Sequence, residues 1–306
     1  SDGSSAGKRG LVPPPAASDD VKFLRGDGTW ATPAGGSGAF TGDVLPSTFE
    51  ARLTLETGVP ISTTDQTAKT AVYLTPHKGN VIALYDGSTT WAGYALTEIS
   101  LSLSGFTADT NYDIFVYDNT GTVTLEAVAW TDATTRATAL TTQNGVLVKS
   151  GATARRYAGT IRITASTGQC EDSLTKRYLW NNHHRVCKKL KVTDATNSWT
   201  YKSATWRSWN NSTANRVGVV IGVNEELIEI DFRGLAQNSS NAVFSLGVGL
   251  DATNANSADV FPANSTTQGS PLSAKYAGYV GVGYHYLQLL ESGNATGTTT
   301  FYGDGG

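Results

Sequence analysis

The sequence predicts an all-β protein: an extended N-terminal connector followed by an antiparallel β-sandwich or jelly-roll-like region. Three observations carry that expectation. Apolar and polar residues alternate with period two, as in Ile99-Ser100-Leu101-Ser102-Leu103, the pattern of a strand with one buried face. Turn signals such as Asn119-Thr120-Gly121 and Ser150-Gly151-Ala152 recur at the short intervals of a sandwich rather than at the spacing of βαβ units. A sustained 3.6-residue periodicity is missing, and only 65–71 and 140–145 offer as much as a turn of helix.

The connector comes first, over 1–45. Its composition is Gly, Ser, Ala, Pro and Asp with few apolar anchors, so it is expected to be extended and to gain order only by packing on something else. Pro13-Pro14-Pro15 holds φ at about −65° and donates no backbone N–H, which favours polyproline II. Gly26-Asp27-Gly28 is a tight-turn signal. Leu11, Val12, Phe23, Leu24 and Trp30 are its apolar anchors and the expected assembly residues. Arg25-Gly26-Asp27 is also the tripeptide of integrin ligands, but inside this string it reads as a turn.

Two β-rich regions follow, 46–168 and 169–306, which could equally form one domain. In the first, Asn111-Tyr112-Asp113-Ile114-Phe115-Val116-Tyr117-Asp118 and the run from Thr122 to Trp130 read as a hairpin closed at Thr120-Gly121, with Val123, Leu125, Ala127 and Ala129 on one face. Strands are expected over 145–149 and 155–165. In the second, strands are expected over 216–223, 242–250, 276–290 and 298–302. Ile228, Ile230 and Phe232 alternate with Glu229 and Asp231. Gly218, Gly222, Gly247 and Gly249 inside strands mark either close backbone approach, as near a trimer axis, or sheet curvature.

Composition limits function. Only 16% of residues are charged and the net charge is −3, so no general attraction to nucleic acid is expected. No apolar run approaches membrane-span length, so no membrane insertion is expected. The polar, uncharged surface suits a durable extracellular or virion protein. Methionine is absent, so Ser1 is expected not to be the natural start; the chain reads as a processed form or the C-terminal part of a longer one. Cys170 and Cys187 lack metal spacing. Two reduced thiols in a β core are favoured over a hairpin disulfide or a zinc site.

Three clusters could carry chemistry. Glu225, Glu226, Glu229 and Asp231 could supply a glycosidase pair, but Glu229 and Asp231 alternate with isoleucines as on a solvated strand face. His183-His184-Arg185-Val186-Cys187-Lys188-Lys189-Leu190-Lys191 is basic. It suits contact with anionic lipopolysaccharide or an acidic virion protein, and equally a strand edge guarded by lysines. Trp199, Tyr201, Trp206, Arg207 and Trp209 form an aromatic and basic concentration that could stack sugar rings, with core packing claiming at least half of them. No motif calls for a catalytic residue, a metal or a cofactor.

Gly10-Leu11-Val12-Pro13-Pro14-Pro15 followed by Phe23-Leu24-Arg25-Gly26-Asp27-Gly28-Thr29-Trp30 resembles the linker module of bacteriophage tail fibres, with Asp19-Asp20 where that family usually has Gly-Asp. Arg52-Leu53-Thr54-Leu55-Glu56-Thr57-Gly58-Val59-Pro60, Ile82-Ala83-Leu84-Tyr85-Asp86-Gly87 and Thr299-Thr300-Phe301-Tyr302-Gly303-Asp304 resemble a β-rich domain of phage tail and fibre proteins. The resemblance implies a structural virion protein rather than an enzyme. It implies a homotrimer that contacts other tail or head proteins and attaches to the host surface, with a cell-surface glycan as the expected ligand. A head, collar or neck decoration protein and a tailspike-type depolymerase are the alternatives.

Overall fold

A computed structural model describes residues 44–266 and 269–303, together with 23–24, 26, 29–31 and 39–40. Leu11, Val12 and the proline run lie outside the described residues. Within the connector, Phe23–Leu24 pairs antiparallel with Trp30–Ala31, in the register Phe23 to Ala31 and Leu24 to Trp30. Of the expected turn at Gly26-Asp27-Gly28, Gly26 lies in a turn between these strands, and Asp27 and Gly28 lie outside the described residues.

The rest is all-β, built from several mostly antiparallel sheets. The six-stranded sheet runs in the order Thr122–Ala129, Asn111–Asn119, Ala152–Arg162, Val146–Lys149, Leu140–Gln143, and Leu179–Asn181 also pairs with Ala152–Arg162. Its first hairpin forms as expected, with Thr120 and Gly121 at positive φ. Its last corrects the helical reading of 140–145: Asn144-Gly145, both at positive φ, close Leu140–Gln143 onto Val146–Lys149. That dipeptide is the sequence signature of a two-residue hairpin loop. Residues 65–71 likewise form strand, Gln66–Lys69, not helix.

Two three-stranded sheets, one of them Ala51–Thr54, Ala71–Pro76 and Ile99–Ser102, complete the N-terminal part. Ile99 and Leu101 turn inward while Ser100 and Ser102 are exposed. These sheets enclose a core that includes Leu53, Leu74, Ile82, Ile114 and Ile161. Each such side chain contributes about 1.5–3 kcal/mol by leaving water.

The C-terminal part is a sandwich. One layer contains Arg216–Ile221, Gly283–Ser292 and Val243–Leu250. The other runs Ser198–Tyr201, Thr299–Tyr302, Ile228–Asn238, Ser270–Gly278, Asp259–Phe261. Between them lie Trp209, Phe232, Phe244, Leu246, Leu287 and Phe301. The run expected as one strand over 276–290 is two, because Gly281 and Gly283 take positive φ and turn the chain.

One eight-stranded sheet crosses position 168. It carries Arg216–Ile221 through the short strands Lys176–Arg177 and Cys170–Asp172 to Gln66–Lys69. Lys176–Arg177 and Arg216–Ile221 run parallel. A third core cluster joins the two parts, with Phe115, Tyr157 and Trp180 against Val219, Ile221 and Val280.

The strand glycines meet groups of their own chain. A Cβ on Gly249 would lie 2.2 Å from Ala252 O, and one on Gly222, which stands just past the strand Arg216–Ile221 rather than inside it, would lie 2.2 Å from the Tyr157 hydroxyl. Gly159 is the tightest case within a strand: an added Cβ would sit 2.1 Å from Trp180 O and 2.9 Å from Leu53 Cδ1. Backbone cannot yield there without breaking the Gly159–Asn181 pairing. Gly159→Ala is therefore expected to destabilise the protein by about 3 kcal/mol, seen as a lowered urea midpoint; an unchanged midpoint would refute the packing.

Candidate functional site

The aromatic concentration of the sequence converges on a buried carboxylate, Glu291. Ser198–Tyr201 is an edge strand, and Arg207–Ser208 pairs with Gly283–Ser292, Arg207 lying opposite Glu291. Glu291 is 0% exposed. It accepts hydrogen bonds from Trp199 Nε1 at 2.7 Å, Arg207 Nε at 2.6 Å and the Asn210 backbone N–H at 3.2 Å. Burial pushes the Glu291 carboxyl up from its ordinary range, and Trp199 and Arg207 oppose that rise. The Arg207 guanidinium stacks over the Tyr201 ring at 3.8 Å.

This arrangement divides the five expected ligand-facing residues. Trp209 is buried in the sandwich core, edge-on to Trp199 and Phe232. Trp199 stacks on Phe301 and is held by Glu291. Arg207 is committed to the same carboxylate. Tyr201 and Trp206 are half-buried, Trp206 lying against Gly247.

The acidic cluster does not converge. Glu229 and Asp231 lie on an exposed face, paired with Lys275 at 2.7 Å and Arg233 at 2.6 Å. Glu226 accepts from the Trp180 indole at 3.1 Å, and Glu225 pairs with Arg185 at 2.7 Å. Among the described residues, no group of three or more His, Cys, Asp and Glu side chains is arranged to hold a metal.

The basic run departs from its expected form. Strand ends at Asn181, and the chain from 182 to 197 crosses as an irregular strap rather than as a guarded strand edge. His184 has φ 50°, so the alternation of a strand does not apply and both histidines meet one residue. His183 stacks on the Phe49 ring at 4.0 Å, and His184 Nε2 lies 2.6 Å from Phe49 O. Burial, with Arg156 and His184 adding positive charge, pulls His183 down to about 3. It is neutral at physiological pH. Both thiols are free, but only Cys170 is buried in the core; Cys187 is exposed on the strap.

Beneath the strap lies a cavity of about 590 Å³. Its walls come from Leu179–Asn181, Arg216–Ile221 and the start of Ile228–Asn238, and Arg52, Arg177, Arg185 and Lys188 reach it. Sequence reasoning named the strap as basic but missed Arg52, which sits 125 or more positions away. The one available signal was an arginine inside an otherwise buried strand, Ala51–Thr54.

Comparison with known families and with curated proteins finds no family model and no curated protein that matches this chain.

Two expectations test the site. Glu291→Gln removes the charge that balances Arg207, and should lower stability by about 3 kcal/mol in urea unfolding; a change below about 0.5 kcal/mol would contradict a buried ion pair. The second concerns acid. The unfolded His183 takes up a proton near 6.5, and the folded one only near 3. Between those values the unfolded state binds more protons, so stability falls as pH drops, by up to about 1.4 kcal/mol per unit. Asp86, held at about 2 mainly by backbone N–H donors of Thr90 and Ser88, acts in a lower window. His183→Phe should flatten the loss between pH 6.5 and 4 in melting scans, and an unchanged slope would refute the assignment.

Proposed function

We propose that the chain is a structural virion protein of a bacteriophage tail fibre or fibre-like appendage, not an enzyme, that mediates attachment to the host surface. The observation that carries this reading is the connector hairpin. Phe23–Leu24 and Trp30–Ala31 pair antiparallel, so the described part of the string that resembles the fibre linker forms a short ladder ahead of the all-strand body. Such a unit suits a joint between one fibre segment and the next.

The body supports the same reading. Its exposed surface is rich in Ser, Thr and Asn, and its charge is low. Tyr201 and Trp206 are half-buried rings beside the edge strand of the sandwich, with Arg207 over Tyr201, an aromatic and basic pairing that a glycan could meet. Weak single contacts suffice for attachment when three chains present them together.

Two measurements test the proposal. Light scattering should give three times the 32.2 kDa chain mass; a monomer at micromolar concentration would remove the trimer. Labelled protein should adsorb to host cells and be competed by soluble envelope polysaccharide, with Tyr201→Ala/Trp206→Ala weakening adsorption by about tenfold. Failure to adsorb, with gold-labelled protein found on the head or neck of particles, would favour a decoration role. Shortened polysaccharide products would replace the reading by a depolymerase.

A further inference from the structure

The charges around the cavity under the 182–197 strap are unevenly divided. Arg52, Arg177, Arg185 and Lys188 line it, with two lining carboxylates, Glu226 and Glu229. Arg185 is held by Glu225 as well as Glu226, so the excess positive charge lies at the end where Arg52, Arg177 and Lys188 meet Asp172. Both carboxylates are already engaged. Glu226 faces Arg185 at 3.3 Å and the Trp180 indole, and Glu229 pairs with Lys275. Asp172 is contacted twice, by Arg177 at 3.0 Å and by Lys188.

Arg52 is left over. It is 3% exposed. Its Nε donates to Pro60 O at 3.0 Å, its Nη1 is buried without a hydrogen-bond partner, and no carboxylate among the described residues forms an ion pair with it. Burial lowers its pKa, and Asp172 opposes that only at a distance. Arg156 shows the contrast. It too is buried without a carboxylate, but Thr48 O and Ala83 O accept from it at 2.9 and 2.7 Å, and its plane lies over Phe49. Its Nε too is without a partner, and burial pulls its pKa down to about 9, yet two carbonyls and a ring face hold the charge. Arg52 has one carbonyl and a cavity beside it. A buried cation in that position carries a desolvation cost that its own chain does not offset.

We propose that this cavity binds a small carboxylate- or phosphate-bearing ligand, an acidic sugar fitting best, whose anionic group is neutralised by Arg52 together with Arg177 and Lys188. A guanidinium matches the two oxygens of a carboxylate or phosphate better than any other side chain. Leu190, Val219, Ile221 and Ile228 supply aliphatic walls for the C–H face of a ring. Val186 and Leu227, both exposed, form an apolar rim. The volume falls in the range of small-molecule sites. The inference goes beyond the attachment reading and does not depend on it, because the charge imbalance belongs to the fold.

The test is calorimetric titration of the full chain with glucuronate, inorganic phosphate and, as the neutral control, glucose. At least one anion should bind about tenfold or more tightly than glucose, and more weakly as salt rises. The stronger of the two identifies the group as carboxylate or phosphate. Arg52→Met should weaken that binding by at least about tenfold while melting no lower than the parent, since an uncompensated buried charge gives way to an apolar chain of similar length. A merely structural arginine predicts the reverse, lower melting with binding kept. If Arg52→Met does not fold, Lys188→Met decides: weakened anion binding supports the site, and unchanged binding overturns it. Equal binding of glucose and both anions, or no binding of any, also overturns it. Cell adsorption is read separately, so failure of either proposal leaves the other standing.

Discussion

The short strand Leu179–Asn181 laid against Gly159–Ile161 is the contact from which the rest of the molecule takes its arrangement. It is only three residues long, but each is committed. Asn181 bonds both backbone groups of Leu53, accepting from its N–H at 2.7 Å and donating to its carbonyl at 3.1 Å. Trp180 fills the space between Tyr157 and Gly222. The carbonyl of Trp180 occupies the place where any side chain at position 159 would go. One strand thus ties the N-terminal core to the C-terminal sandwich, and the chain that leaves it becomes the strap over the cavity.

The molecule carries few charges, and it spends a notable share of them inside. Glu291, Asp113 and Arg156 are all buried. Asp113 is held by Arg136 at 2.6 Å and by Thr160 at 2.7 Å, and the same Arg136 lies over Trp130. Removing any one partner would strand another in a low-dielectric interior, where an unpaired charge is costly. These networks fix how the sheets meet more sharply than apolar packing alone can. Arg52 differs from Arg156, which also lacks a carboxylate, in having one carbonyl instead of two and a cavity beside it.

Much of the fold was legible along the chain. Alternation found Ile99–Ser102 and the start of Ile228–Asn238, as far as Phe232, because one face of each is wet and the other dry. Asn119-Thr120-Gly121 announced a hairpin because glycine adopts positive φ freely; Thr120, β-branched, also stands at positive φ there. The misreadings have equally local causes. Residues 140–145 look helical if Asn144-Gly145 is overlooked, and the Tyr-Gly-Val run looks like one strand until Gly281 and Gly283 turn it. The aromatic cluster was found by composition, but composition could not separate Trp209 in the core from Trp206 near the surface.

Residue order therefore established the class of the fold, the position of most strands and turns, and the low charge of the surface, since these depend on neighbours within a few positions. It could not establish which strands lie side by side, that Glu291 gathers Trp199 and Arg207, or that Arg52 faces Asp172 and the strap from more than a hundred positions away. Those facts depend on pairings between distant segments, and a side chain acquires its burial, its partners and its charge balance only when the sheets close around it.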